Sequence, residues 1–198
     1  MKTKDLEAKK KNTAQLKKEA SSLGMDLFGV ADITGLKKDF RYLNSTTVEN
    51  LNSAVSLGVR LLQPVLEDIQ DQPTPLYLHH YRQVNYLLDR AALLLSQRIQ
   101  EDGYLALPIA ASQVIDWEKQ CGHVSHKAIA IAAGQGWLGR NNLLVHPQYG
   151  AQVRLVTVLT NYPIIANAPL KHSCETCRVC IDACPARAIK DDQAQFDH

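Results

Sequence analysis

The chain has 198 residues, 45% of them hydrophobic and 21% charged, with 22 Lys and Arg against 20 Asp and Glu. That mix gives a globular protein with a real core and excludes a disordered, collagen-like or low-complexity chain. A net charge of +2 is too small to argue nucleic-acid binding by itself, and no apolar run reaches the roughly 18–20 residues that span a bilayer.

Residues 1–23 carry seven Lys among good helix formers and predict a helix that ends near Gly24, its lysines on a solvated face. This Lys-rich start has no apolar secretory segment, so the expectation is a cytoplasmic protein, where structural disulfides are rare. Residues 26–33 and 54–61 predict short strands, each interrupted by Gly. Residues 63–75 are polar and Pro-bearing and predict a loop. From about residue 78 to 100, Tyr86, Leu87, Ala91, Leu94, Leu95 and Ile99 fall at helical spacing, and Gly103 ends that helix. Residues 104–111 predict a strand and 124–133 an Ala/Ile-rich helix. Residues 143–146 and 153–160 predict two more strands, the second nearly all apolar and therefore central. Residues 161–171 contain Pro163 and Pro169 and predict a linker.

Four of the five cysteines then lie within eleven residues, as Cys174-x2-Cys177-x2-Cys180-x3-Cys184-Pro185. This is the bacterial ferredoxin run for a 4Fe-4S cluster. A structural zinc site pairs two knuckles across a longer spacer, which three closely spaced steps do not match. In two-cluster proteins the fourth cysteine of such a run serves the other cluster. Only fourteen residues follow Cys184, so the ferredoxin-like module reads as incomplete. The expected organisation is an α/β domain over residues 1–168 followed by a 4Fe-4S module over 169–198.

Gly134-Gln-Gly136-Trp-Leu-Gly139 matches G-x-G-x-x-G, but it follows a helix and leads into a strand, the reverse of a dinucleotide fingerprint. The glycines instead predict a turn in which backbone approaches something closely. Between Glu118 and Glu175 there is no carboxylate, whereas Lys119, Lys127, Arg140, Arg154 and Lys171 fall there. Such a wall favours an anionic cluster or a phosphate-bearing cofactor.

The segment from His126 through Gly134-Gln-Gly136-Trp137-Leu-Gly139-Arg140-Asn141 to Pro147, followed by Gly150 and the cysteine run, resembles the epoxyqueuosine reductase family and its relatives, the reductive dehalogenases. The resemblance implies a nitroreductase-like α/β domain that binds cobalamin beside a two-cluster ferredoxin module. It implies a reductase in which clusters pass electrons to cobalt, acting on epoxyqueuosine in tRNA. It places corrinoid contacts at Gly136, Trp137, Gly139, Arg140 and Asn141, and an electron donor such as ferredoxin or flavodoxin as a partner. The family's proton-donating Asp, however, aligns with Gln120. Asp116, His123 and Tyr104 are the remaining candidates for that proton. A second expectation is therefore a non-catalytic electron carrier that reduces a partner's corrinoid, and a third is a zinc-binding interaction module. Cys121 reads as a small buried hydrophobe or a redox thiol. His123 and His126, three apart, would share a helix face.

Overall fold

The computed structural model describes residues 2–192. Helix α1 (Lys2–Ser22) ends at Gly24, which takes φ +85°. Strand β1 (Leu27–Asp32) follows, then a short helix α2 (Ser45–Glu49) and strand β2 (Ser53–Arg60). The expected loop over residues 63–75 holds a short helix, α3 (Gln63–Glu67). Pro64 sits in its first turn, where the missing N–H costs nothing.

Helix α4 (Pro75–Glu101) starts at Thr74, whose hydroxyl accepts the Tyr77 N–H, and stops at Gly103, φ +84°. Strand β3 (Ala106–Ile109), helix α5 (His126–Ala132), a two-residue hairpin pair β4 (Trp137–Leu138) and β5 (Leu144–Val145), and strand β6 (Val153–Thr160) complete the body. A four-residue helix α6 (Val179–Asp182) lies inside the cysteine run.

The main sheet is antiparallel in the order β1-β2-β6-β3. Strand β6 is thus central, paired to β2 from Val153 with Arg60 through Thr160 with Ser53. Alternate residues of the strands face opposite ways. Val30, Val55, Leu57, Val156 and Val158 pack against Leu16 and Ala20 of α1 and Val84, Leu88, Leu95 and Ile99 of α4. Ala31, Ala54, Ile109 and Leu159 face Ile129 and Ala133 of α5. Both faces are covered, which is why β2 and β6 read as nearly unbroken apolar runs.

The linker beyond β6 is tied along the edge of β1. Asn167 donates its N–H to the Val30 carbonyl and accepts the Val30 N–H on its side chain, each at 2.8 Å. Asn12 and Thr13 of α1 bond Pro163 and Ile165. The chain therefore enters the cysteine run from a fixed direction.

Candidate cofactor cavity and cysteine loop

Helix α5 begins at a cap, with the Ser125 hydroxyl accepting the Ala128 N–H. This start places His126 in the first turn, under β6. Its Nδ1 lies 2.8 Å from Thr157 Oγ1 and its Nε2 lies 3.0 Å from the Ala110 carbonyl. Burial pushes this imidazole below its usual pKa of 6.5 and outweighs the opposing hydrogen bond to Ala110 and the charge of Asp89. The unfolded ring titrates near 6.5. The unfolded state thus takes up more protons below that pH, and stability is lost as pH falls from about 6.5. Asp102 and Asp116, held below the ordinary carboxylate value of 3.8, act in a separate window further down. His126→Gln is expected to flatten the stability slope below about pH 6.5, where His146, also pushed down by burial, contributes the slope that remains. Chemical denaturation across pH measures this, and an unchanged slope in the variant would refute it.

Beside His126 lies a cavity of about 590 Å³, lined by Arg41, Gln120, Cys121, Lys127, Leu144 and Arg154 among others, with Asp39 as its carboxylate. Lys127 reaches across to the turn after β4, and its Nζ donates to the Asn142 carbonyl at 2.6 Å. Arg154 is held by Asn85 at 3.1 Å and lies over the Tyr81 ring, 4.0 Å from its centroid, while Nη2 donates to the Tyr81 hydroxyl. That hydroxyl is also 2.8 Å from Ser112 Oγ. Burial opposes ionisation of Tyr81, but the Ser112 hydrogen bond and the Arg154 charge outweigh it and hold the phenol below its ordinary pKa.

The sequence candidates for proton donation fall in different places. Asp116 closes a tight turn: its carboxylate accepts the Lys119 N–H at 3.0 Å and the Tyr42 hydroxyl at 3.3 Å, and its backbone pairs with Cys121. The Lys119 N–H holds its pKa low, the wrong direction for an acid at neutral pH. Gln120 stands in that turn at φ +48°, and its amide donates to the Trp117 carbonyl. His123 precedes α5, so it does not share a helix face with His126; its ring lies 3.0 Å from the Arg41 carbonyl. Tyr104 lies beyond the end of α4, packed edge-on to Tyr162 at 5.0 Å and away from the cavity lining. Cys121 is half-buried at the cavity.

The five residues of the glycine turn are each engaged within the chain. A Cβ on Gly136 would stand 2.2 Å from the Val145 carbonyl oxygen, and one on Gly139 would stand 2.5 Å from Asn141 Oδ1. The partner of the close approach is the hairpin itself, its backbone at Gly136 and its side chains at Gly139. Trp137 stacks on His172, centroids 4.8 Å apart, with its Nε1 buried and unpaired among the described residues. Asn141 accepts the Leu143 N–H. Arg140 donates to the carbonyls of Glu175 and Cys177, each at 2.8 Å, and of Asp191 at 3.1 Å.

Cys174, Cys180 and Cys184 are half-buried and Cys177 is exposed; none is in a disulfide. Cys184 lines a second cavity, of about 610 Å³, with Arg178, Ile181, Arg187, Ile189 and Asp191; the other three cysteines do not line it. Backbone N–H groups of Ala188, Ile189, Ala186 and Arg187 hold the Cys184 thiol below its usual pKa. Among the described residues, no three His, Cys, Asp or Glu side chains gather closely enough for a single metal ion. A tetrahedral zinc site needs thiolates about 3.8 Å apart. The thiolates of a 4Fe-4S cluster bind four separate irons and stand farther from one another. The soft, all-sulfur donor set at ferredoxin spacing, with one thiol already favoured as thiolate, fits such a cluster.

No protein-family model matches the chain. It is 28% identical over 184 residues to the epoxyqueuosine reductase of Synechococcus sp., covering 89% of this chain and 53% of that protein. A crystal structure of epoxyqueuosine reductase with an epoxyqueuosine-modified tRNA-Tyr stem loop matches with TM-score 0.66 at 20% identity, over 90% of this chain and 53% of that one. A reductive dehalogenase whose structure suggests a mechanism for B12-dependent dehalogenation matches with TM-score 0.77 at 18% identity, over 92% and 26%. The chain spans about half the length of the first of these relatives. No helix among the described residues is long and apolar enough to cross a membrane. In sequence the chain is epoxyqueuosine reductase-like, and its α/β fold is the one that epoxyqueuosine reductases share with reductive dehalogenases.

Proposed function

We propose that this chain is an iron–sulfur and cobalamin-dependent reductase of the epoxyqueuosine reductase type, acting on a modified nucleoside in tRNA. One observation carries the reading: the 139–142 turn bonds Lys127 of the cavity on one side and, through Arg140, the cysteine loop on the other. Cavity and cysteine loop share a wall one turn thick.

Cys174, Cys177 and Cys180 would hold one 4Fe-4S cluster. Cys184, aimed into a different cavity, would serve a second, as in two-cluster ferredoxins. The cavity beside His126 presents Arg41, Lys127 and Arg154 against Asp39, which suits the phosphate of a cobalamin nucleotide tail. When bound, the cluster supplies single electrons and the corrinoid supplies the reducing cobalt. The chain's own groups do the rest. Lys127 and Arg154 bind anionic groups at the cavity wall. His126, neutral, fixes β6 to the residue-110 loop.

With Gln120 at the expected acid position and Asp116 committed to its turn, Tyr81 would supply the proton: its ring is not part of the cavity lining, but its hydroxyl, held below its ordinary pKa by the Ser112 hydrogen bond and the Arg154 charge, bonds the Arg154 guanidinium that lines the cavity. Tyr81→Phe is expected to lower turnover by about 10²-fold with cofactor content unchanged. Loss of cofactor together with turnover would show a structural role instead. The electron donor would be a ferredoxin or flavodoxin.

The test is anaerobic reconstitution followed by iron and sulfide analysis, an EPR titration with cob(II)alamin, and turnover with tRNA bearing epoxyqueuosine. Bound iron with an altered cobalt signal and nucleoside reduction support the reading. Gln120 and the depressed Asp116 favour a second one, an electron carrier without turnover of its own. Bound iron with electron transfer to a partner, and no reduction of the nucleoside, would select it.

A further inference from the structure

We propose that Arg140 is a positioning residue that docks the cysteine loop against the glycine turn and tunes the cluster held there. This inference rests on the iron–sulfur reading of that loop. Arg140 projects from the start of the β4–β5 turn, its side chain only 17% exposed. Its three bonds go to backbone carbonyls at the start of the loop, Glu175 and Cys177, and at its return, Asp191. One guanidinium thus ties together the two ends of a segment 17 residues long.

The geometry at the near end is built for this. Glu175 stands at φ +46°, a left-handed conformation uncommon for a side-chain-bearing residue, and its carbonyl meets Arg140 Nη2. At the far end the Asp191 carboxylate lies 3.8 Å from Arg140 Nε and pairs with Arg178, from inside the loop. The docking therefore has a charged second layer, Arg140–Asp191–Arg178. Linker contacts such as the Trp137–His172 stack act before Cys174. Arg140 acts beyond it, on the carbonyl of a ligand cysteine.

A planar fork with donors on three nitrogens can span these carbonyls, and a lysine ammonium cannot. The charge has a second effect. Reduction adds an electron to a thiolate-ligated cluster, so a partly buried cation beside the loop favours the reduced form and raises the potential.

The test compares the full chain with Arg140→Gln and Arg140→Lys, using Lys171→Gln as a control for loss of one exposed cation. Hydrogen exchange of the apo chain reads docking directly. Arg140→Gln is expected to speed exchange of amides in residues 175–191 by at least about tenfold, since charged hydrogen bonds are lost. Arg140→Lys should recover only part of that protection, and Lys171→Gln should change nothing. After reconstitution, the midpoint potential of Arg140→Gln should shift to more negative values, while Arg140→Lys, which keeps the charge, stays near the parent. Loop exchange in Arg140→Gln equal to that of the parent would overturn the proposal. Failure of the parent chain to take up iron would refute the iron–sulfur reading instead, and apo-chain exchange would still decide the role of Arg140.

Discussion

Cys177→Ser is expected to remove the cluster and leave the fold intact. Cys177 is exposed and in no disulfide, so exchanging its sulfur for oxygen disturbs no core packing. A serine hydroxyl is a hard, weakly acidic donor and a poor substitute for thiolate on iron. Mutating even outer-shell partners of a metal site costs 10–100-fold in affinity, so losing a direct ligand should lower cluster affinity by at least about 100-fold and leave most chains without iron after desalting.

Iron and sulfide per chain after desalting measure this, with circular dichroism and the thermal midpoint showing that the body is unchanged. Cys121→Ser supplies the contrast. Cys121 sits at the cavity beside His126, remote from the run in sequence and paired by backbone to Asp116, and it should keep parental iron. Cys184→Ser separates one cluster from two. If Cys184 serves its own cavity, iron held through Cys174, Cys177 and Cys180 persists in that variant. Equal loss of iron in the Cys184 and Cys177 variants would mean one four-cysteine cluster. Zinc at one equivalent without sulfide would point to the interaction-module reading.

The parts of this molecule legible in its sequence are those whose signal is local. Of the residues at helical spacing in the sequence, Ala91, Leu95 and Ile99 lie on the buried face of α4, whereas Tyr86 and Leu87 are exposed and Leu88 takes the buried place instead. The nearly all-apolar run from 153 to 160 marks a central strand, as the sheet order confirms. The helix-then-strand order expected around the G-x-G-x-x-G turn is the order found, α5 before β4 and β5. Helix α3 was hidden because Pro64 reads as a breaker inside a polar stretch, although proline is well tolerated in a first turn. Strand β4 is two residues long and leaves no periodicity.

What the sequence hides in the site is non-local. That a close approach occurs at Gly136 follows from its neighbours in the motif. That the partner is the Val145 carbonyl rather than a ligand depends on the hairpin closing. Arg140 meets carbonyls 35 to 51 residues away, and Arg154 bonds a phenol 73 positions earlier. No window of local pattern joins such pairs. The acid-free stretch from 119 to 174 was a usable signal, since Lys127 and Arg154 do meet at one cavity. Arg41, which joins them there, is brought by the backbone bond from its N–H to the His123 carbonyl.

Gly136→Ala is the substitution that decides what the glycine turn is for. If the glycines served only to admit a cofactor, an added methyl group would weaken cofactor binding and leave the apo chain as stable as before. The structure argues otherwise. The new Cβ would lie 2.2 Å from the Val145 carbonyl oxygen, 2.9 Å from its carbon and 3.1 Å from Leu144 Cδ1. Two of the three obstacles are backbone, so no side-chain rotation relieves the overlap, and β5 must move. Overpacking against adaptable side chains costs typically 1–3 kcal/mol, and a clash with fixed backbone belongs at or above the top of that range.

We expect a loss of about 3 kcal/mol or more in the apo chain, which for a protein of this size corresponds to a midpoint lowered by roughly 6–12 °C. Gly35→Ala, where nothing lies within 4 Å of the added atom, should stay within about 0.5 kcal/mol of the parent. The displacement also propagates. Gly139, Arg140 and the Asn142 carbonyl that receives Lys127 all sit between β4 and β5, so a shifted hairpin loosens the cavity wall and the cysteine loop together. Hydrogen exchange should therefore rise in 137–145 and in 175–191 in the same variant. A normal apo midpoint with cofactor affinity alone reduced would return the glycines to a direct role at the ligand.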